Sequence, residues 1–255
     1  MSAPLIVSFG GGVNSAAMLV GMQERGIVPD LILFADTGSE KPETYKFVET
    51  MRRWTVRNMD RGIITVPHPT GDTLIESCFR NGTLPSKAYG FPGCSVKFKH
   101  QPMEKYENSI YGKDTIITKA IGYHAGEDRG SGITEKGRYR YRYFLKEWHW
   151  RQRECIEALT RAALPVPLKS SCWFCPSMKP HEIVWLNKKH PELFQIAVQM
   201  ESAAEPYHAE KGGRTKGLGR NFSWKQVADA DEAQMDAFDE PDDVPCMCYD
   251  GDPDE

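Results

Sequence analysis

Apolar residues near the start of the chain come in short, nearly unbroken runs, with helical periods between them. LIVSF (Leu5–Phe9) and LILFA (Leu31–Ala35) read as strands buried on both faces, and IITV (Ile63–Val66) and TIITKAIG (Thr115–Gly122) as a third and fourth strand. After the first run, Asn14 or Ser15 can cap a helix that Gly26 ends. After the second, Ser39 is a cap and Pro42 suits a first helical turn, with Tyr45, Phe47, Val48, Met51 and Trp54 recurring at helical spacing. Strands alternating with helices predict an α/β fold, a doubly wound parallel sheet, with ligands beyond the carboxyl ends of the strands.

Past about Gly126 the pattern changes. RYRYRYF (Arg138–Phe144) alternates strictly, so a strand there puts its arginines on one face and its tyrosines on the other. With Trp148 and Trp150 close by, that suits stacked single-stranded bases; an ordinary edge strand, aromatic side to the core and charged side to water, is the other reading. RQRECIEALTRAA (Arg151–Ala163) reads as an amphipathic helix with Cys155 in the core, and helical text runs from about His181 to Ala204. KGGRTKGLGR (Lys211–Arg220) is a basic glycine-rich loop that could close over phosphates or simply be solvated. The expected division is a nucleotide-binding core (1–126), a smaller C-terminal cysteine-containing lobe (127–227) and an acidic tail (228–255) expected to be disordered.

Charge sharpens that division. The chain of 255 residues has net charge −3, but Ala228–Glu255 holds twelve acids and no Lys or Arg, so residues 1–227 carry +9. A basic body suits a protein that handles anions. No run approaches the roughly 20 apolar residues of a membrane span, and MSAPLIVSFGG lacks the basic region of a signal peptide. A reducing cytoplasm is therefore expected, where seven cysteines suggest metal, redox or core roles.

The most informative stretch is IVSFGGGVNSAAML (Ile6–Leu19). It lacks the lysine of a Walker loop and the spacing of a Rossmann loop. Glycines still let backbone N–H groups approach an anion, and a helix N-terminus adds positive partial charge. This corner resembles the PP-loop family, the ATP pyrophosphatases or adenine nucleotide α-hydrolases, whose loop reads Ser-Gly-Gly-x-x-Ser after strand one. Gly11, Gly12 and Ser15 match; Gly10 replaces the first serine, and Val13 and Asn14 stand where many members have Lys and Asp. FADTGSEKPETYKF resembles the branch containing phosphoadenosine-phosphosulfate (PAPS) reductases, matching at Asp36, Thr37, Gly38, Glu43 and Thr44. GYHAGEDR (Gly122–Arg129) resembles the segment bordering the nucleotide: His124 stands near its basic position, and Glu127 and Arg129 match loosely.

The resemblance implies a fold of the adenine nucleotide α-hydrolase (HUP) type. It implies nucleotide contacts from Ser8, Gly10, Gly11, Gly12, Asn14, Ser15, Asp36, Thr37, Gly38, Glu43, Gly122 and Arg129, with Ser15, Asp36 and Arg129 closest to the chemistry. Asp36 would accept from a ribose or bind Mg²⁺.

Cys172 and Cys175 form a CxxC followed by proline, a spacing that can hold a metal centre. GCSVKFKHQP around Cys94 is similar to the iron–sulfur branch of the family, with Gly93 at one cysteine place. That makes Cys94, Cys172 and Cys175 the implied ligands of a [4Fe–4S] cluster with one iron left open to carry sulfur, or with Cys78, Cys246 or Cys248 as a fourth ligand, or else of structural Zn²⁺.

The activity so implied is cleavage of ATP between its α and β phosphates and adenylation of an acceptor, a nucleobase or nucleic-acid modification intermediate, for sulfur transfer. The implied partners are an adenine nucleotide and a sulfur donor such as a cysteine desulfurase, with a homodimer allowed and no membrane. A thiol-dependent PAPS or adenosine-phosphosulfate (APS) reductase is the alternative, although PCMCYDG lacks that group's Glu-Cys-Gly. A non-catalytic nucleotide or nucleic-acid binding module is the third reading.

Overall fold

The computed structural model describes residues 3–129, 134–210 and 215–233. In chain order the elements are β1 (Leu5–Ser8), α1 (Val13–Glu24), β2 (Leu31–Asp36), α2 (Pro42–Met59), β3 (Ile63–Pro67) and α3 (Leu74–Asn81). A 3-10 turn (Ser86–Tyr89), a helical turn α4 (Gly93–Ser95) and a π-helical stretch (Val96–His100) lead into α5 (Gln101–Tyr111). Then come β4 (Ile117–Ile121), β5 (Glu135–Lys136), β6 (Tyr139–Arg142), α6 (Phe144–Glu147), α7 (Gln152–Arg161), α8 (Pro180–Lys189), α9 (Pro191–Glu210) and α10 (Trp224–Ala233).

Two compact units share this chain. The first comprises residues to Asp36, Glu40–Pro67 and Lys99–Ser170; the second comprises Thr37–Ser39, His68–Phe98 and the described residues from Ser171 onward. The stretch expected as one C-terminal lobe is thus divided between them.

The first unit is an α/β unit around a six-stranded sheet of order β3-β2-β1-β4-β6-β5. All neighbours are parallel except the β5–β6 pair. The unbroken apolar runs of β1 and β2 fill its centre, where a strand is covered on both faces. Helix α1 is buried continuously from Ser15 to Met22, whereas α2 buries a single face through Thr44, Phe47, Val48, Met51, Thr55 and Met59. Two expected caps are corrected. Gly12 is the N-cap of α1, leaving Asn14 and Ser15 inside its first turn; Lys41 is the N-cap of α2 with Pro42 following, so Ser39 lies outside that helix.

The RYRYRY segment is β6, with Tyr139 and Tyr141 half-buried and Arg140 and Arg142 exposed. It lies one place in from the edge, which the two-residue β5 forms. Arg140 pairs with Glu135 at 3.3 Å and Arg142 with Glu147. Trp148 and Trp150 pack on α1, where a Cβ at Gly21 would come within 2.4 Å and 2.9 Å of their rings. These side chains serve packing and ion pairs, with the aromatic side inward and the charged side outward, as an ordinary strand has them. Cys155 is fully buried among Ala158 and Leu159, as expected of a core residue.

The second unit is helical. Its core draws on Leu74, Cys78, Phe98, Trp173, Phe174, Ile183, Phe194, Met200 and Trp224. Helix α3 opens on a capping box between Thr73 and Glu76 and ends at Gly82 in the left-handed region. The helical text after His181 is two helices, broken at His190 and Pro191. Helix α10 takes in 228–233, where Ala228 is buried, so a described part of the expected tail is helical; residues 234–255 lie outside the described residues.

Candidate functional site

The sheet order reverses between β1 and β4: from β1 the chain builds outward through β2 to β3, then returns to β1's other side. Ligands of open α/β sheets sit at such a point, beyond the strands' carboxyl ends. Ser8, buried at the end of β1, is level with Leu33 on one side and Ile121 on the other. The glycine corner follows directly. Gly11 has φ +74°, and a Cβ there would lie 3.0 Å from Thr44 Cγ2 and 3.3 Å from Val48 Cγ2. A Cβ on Gly122, just after β4, would lie 2.8 Å from the Ser15 nitrogen and Cα. Gly11 is needed for its left-handed backbone, with the Thr44 and Val48 side chains crowding the place of a Cβ, and Gly122 because backbone comes too close for a side chain.

Helix α1 begins with no side-chain cap and no acid in its first turn. Its first N–H groups therefore have no partner from a cap, and they carry the positive end of the helix dipole. Ser15 braces the loop: its Oγ accepts from the Gly10 N–H at 3.2 Å and donates to the Gly12 carbonyl at 3.2 Å.

Glu127 is the hub of the neighbouring loop, its side chain only 3% exposed. Oε1 accepts from Asn14 Nδ2 at 2.9 Å and from the His124 N–H at 3.1 Å, and Oε2 accepts from Arg129. The Arg129 guanidinium also lies 4.7 Å over the Tyr123 ring. Asn14 Oδ1 is shielded from solvent and accepts no hydrogen bond. Leaving such an acceptor unsatisfied costs about 1–3 kcal/mol.

Asp36 ends β2, and Tyr45 donates to its Oδ1 at 2.7 Å. Burial, and after it the hydrogen bond to Asp36, push the Tyr45 phenol well above its ordinary value. It stays protonated and orients the carboxylate. Glu43 stands in the first turn of α2. Within the first unit the structure thus brings Ser8, the three glycines, Asn14, Ser15 and Gly122 to one corner, with Glu127 tying Asn14 to the Arg129 loop.

Thr37 and Gly38 fall in the second unit. The Thr37 carbonyl accepts from the Leu74 N–H at 2.9 Å, and its hydroxyl lies 3.3 Å from Cys172 Sγ. Gly38 has φ +68°, and a Cβ there would lie 2.2 Å from Thr73 Cγ2. Their geometry serves the start of α3.

Of the cysteines, Cys78, Cys172 and Cys175 are buried in one apolar cluster, and Cys94 packs against it half-buried. Burial, and then the nearby Cys94, push the Cys78 thiol up to about 12. Four thiols are the donor set of an iron–sulfur cluster or zinc. Among the described residues, however, no three His, Cys, Asp or Glu side chains converge as a metal would require. The expected trio shares a cluster without forming a ready site. Cys246 and Cys248 lie outside the described residues, as do Lys211 and Arg214 of the basic loop. Arg220 of that loop donates to the Lys87 carbonyl at 2.9 Å and 3.0 Å.

Sequence reasoning underrated Glu127 and missed the role of Tyr45. An acid in the loop after β4 was the available signal for the first, and a tyrosine in the first turn of α2 for the second.

No helix among the described residues is long and apolar enough to cross a membrane. No protein-family model matches the chain. It is 25% identical over 237 residues to the uncharacterized protein MJ0066 of Methanocaldococcus jannaschii, a match covering 87% of this chain and 46% of that protein. The chain thus spans about half the length of the curated relative it matches.

Proposed function

We propose that this chain is a PP-loop enzyme of the PAPS reductase-like branch, with a doubly wound sheet of the HUP type. In this reading it binds ATP with Mg²⁺, cleaves it between the α and β phosphates and adenylates an acceptor for sulfur transfer. The acceptor would be a nucleobase or a nucleic-acid modification intermediate, and the setting the cytoplasm. One observation carries the reading: the uncapped first turn of α1 sits in a glycine corner where the sheet order reverses. Main-chain amides there would take up negative charge developing at the α-phosphate without a lysine. Asp36, oriented by Tyr45, would receive a ribose hydroxyl or the magnesium ion.

The four clustered thiols support the sulfur half of the reading by their chemistry. A [4Fe–4S] cluster, when bound, would carry sulfur. Because no three thiols converge among the described residues, no step of the proposal passes through it.

The test is ATP binding by calorimetry and pyrophosphate release with Mg²⁺. The double substitution Gly11→Val, Ser15→Ala should lower ATP affinity at least about a hundredfold, since it fills the corner beside Thr44 and removes the loop's brace. Unchanged affinity would sink the cradle. Sulfite release from PAPS or APS with thioredoxin, in place of pyrophosphate release from ATP, would replace this activity with the reductase one. Iron, sulfide and zinc analysis of anaerobically purified protein decides the metal.

A further inference from the structure

The described end of the basic glycine-rich loop is built onto the second unit. The Lys216 N–H donates to the Arg220 carbonyl at 2.6 Å and the Arg220 N–H to the Gly217 carbonyl at 3.0 Å, so the two basic residues stand at the ends of one turn. Glu201 of α9, buried, anchors that turn by accepting from the Leu218 N–H at 2.7 Å and from the Trp224 N–H at 3.0 Å. Arg220 Nε and Nη2 donate to the Lys87 carbonyl at 3.0 Å and 2.9 Å. A carbonyl fixes the guanidinium without neutralising it, so a positive charge is held beside the Ser86–Tyr89 turn.

Aromatic rings gather at the same turn. Tyr89 is flanked by Phe91, near-parallel at 26° with centroids 6.5 Å apart, and by Tyr207 of α9, edge-on at 5.8 Å. The Tyr89 hydroxyl accepts from the Leu84 N–H at 3.0 Å and lies 3.0 Å from His208 Nε2, which holds the ring in place. Phe91 is 53% exposed and Tyr207 36%. Lys87 is half-buried and Lys216 exposed. Burial lowers the His208 pKa and the nearby Glu205 opposes it, which marks Glu205 as an acid bounding this surface. Phe91 packs on Gly93, where a Cβ would lie 3.2 Å from its ring, and the next residue, half-buried Cys94, donates its N–H to Ser86 Oγ.

We infer that the exposed rings of Phe91 and Tyr207, backed by Tyr89, and the cations of Lys87, Lys216 and Arg220 form a binding surface for single-stranded nucleic acid. Bases stack on the rings and phosphates meet the cations. Two exposed rings fall far short of the roughly 800 Å² per partner of a stable protein interface. A ring face beside fixed positive charge does suit a base and its phosphate, and a duplex, whose bases stack on one another, offers no base to the rings. In naming this strand as the acceptor, held beside Cys94, the inference rests on the proposed function; strand binding itself does not.

The experiment measures binding of a fluorescein-labelled single strand of about 12 nucleotides, as RNA and as DNA, to the full chain by anisotropy over a range of salt, with thermal melting to confirm folding. Phe91→Ala and Tyr207→Ala should each weaken binding about fivefold to a hundredfold at every salt concentration, and Phe91→Trp should keep it within about threefold. Lys216→Gln and Arg220→Gln should each flatten the slope of log affinity against log salt by about 0.7, which a packing role would not do. A duplex of the same length should bind roughly tenfold more weakly or worse. Equal affinity for the duplex, or losses confined to the basic variants, would make the attraction purely electrostatic and overturn the stacking surface. Sedimentation showing a dimer that Phe91→Ala dissociates, with no strand bound, would assign the rings to a second copy of the chain instead. Strand binding without pyrophosphate release from ATP keeps the surface and removes its role as acceptor site. Pyrophosphate release with no strand bound keeps the proposed enzyme and overturns the surface.

Discussion

The glycine corner of the first unit and the cysteine cluster of the second both arise from short, conspicuous motifs, yet the fold treats them differently. Around the corner, backbone crowds Gly122 and the Thr44 and Val48 side chains crowd a left-handed Gly11, while Ser15 and Asn14 are tied to the loop backbone and to Glu127. Around the cysteines, three thiols are buried in an apolar cluster and a fourth packs on it, but they do not converge. A site built of backbone is complete once the strands pair. A site built of side chains sharing a cluster still depends on what binds there.

The sharpest break of that comparison is Gly38→Ala. This substitution forces a left-handed residue and drives a Cβ to 2.2 Å from Thr73 Cγ2. Thr73 cannot rotate freely, since its Oγ1 caps α3 by accepting from the Glu76 N–H at 3.2 Å. Left-handed strain and overpacking together should cost about 2–4 kcal/mol. Chemical denaturation should show the loss, while ATP affinity of the folded protein stays within about twofold. A large loss of affinity with little loss of stability would return Gly38 to the nucleotide site, where the family resemblance put it.

Gly122→Ala is the counterpart in the first unit. Its Cβ would meet the Ser15 nitrogen and Cα, which are backbone and cannot rotate away. About 1–3 kcal/mol of stability should go, and ATP affinity should fall roughly tenfold or more because the first turn of α1 is displaced. If both glycine variants lose stability and neither loses affinity, the two regions do not differ as argued.

What could be read from the sequence follows the same line. The central strands were legible because burial on both faces leaves a continuous apolar run, as in Ile32–Ala35. The glycine corner was legible because three glycines exceed what a turn requires. Helix α3 was overlooked because its buried face is only Leu74, Ser77 and Cys78, although its capping box was in plain sight. Glu127 was hard to weigh because its partner Asn14 lies 113 residues earlier and no periodicity links them. The weave of the second unit from three chain segments leaves no local trace at all. Cys155 was correctly read as core from its place beside Leu159, whereas whether cysteines converge depends on tertiary geometry that spacing does not carry.

The two regions share one property, a deeply buried thiol in each, and it gives the gentlest test. Burial is the leading cause that pushes both Cys78 and Cys155 up to about 12. In the unfolded chain a thiol loses its proton near about 8.5. Between those values the folded protein keeps protons the unfolded chain has released, so unfolding free energy falls as pH rises. The contribution is whole below about pH 8.5 and declines by at most about 1.4 kcal/mol per pH unit for each thiol. Urea midpoints at about pH 8 and about pH 10 should therefore differ less in Cys155→Ala and in Cys78→Ala than in the wild type, and least in the double variant. The Cys78→Ala effect should be the more easily suppressed by a bound metal, because a thiolate ligand no longer holds its proton. Identical pH slopes in all four metal-free proteins would mean that neither thiol is held protonated by its surroundings, and the buried cluster around Cys78 would lose its physical basis.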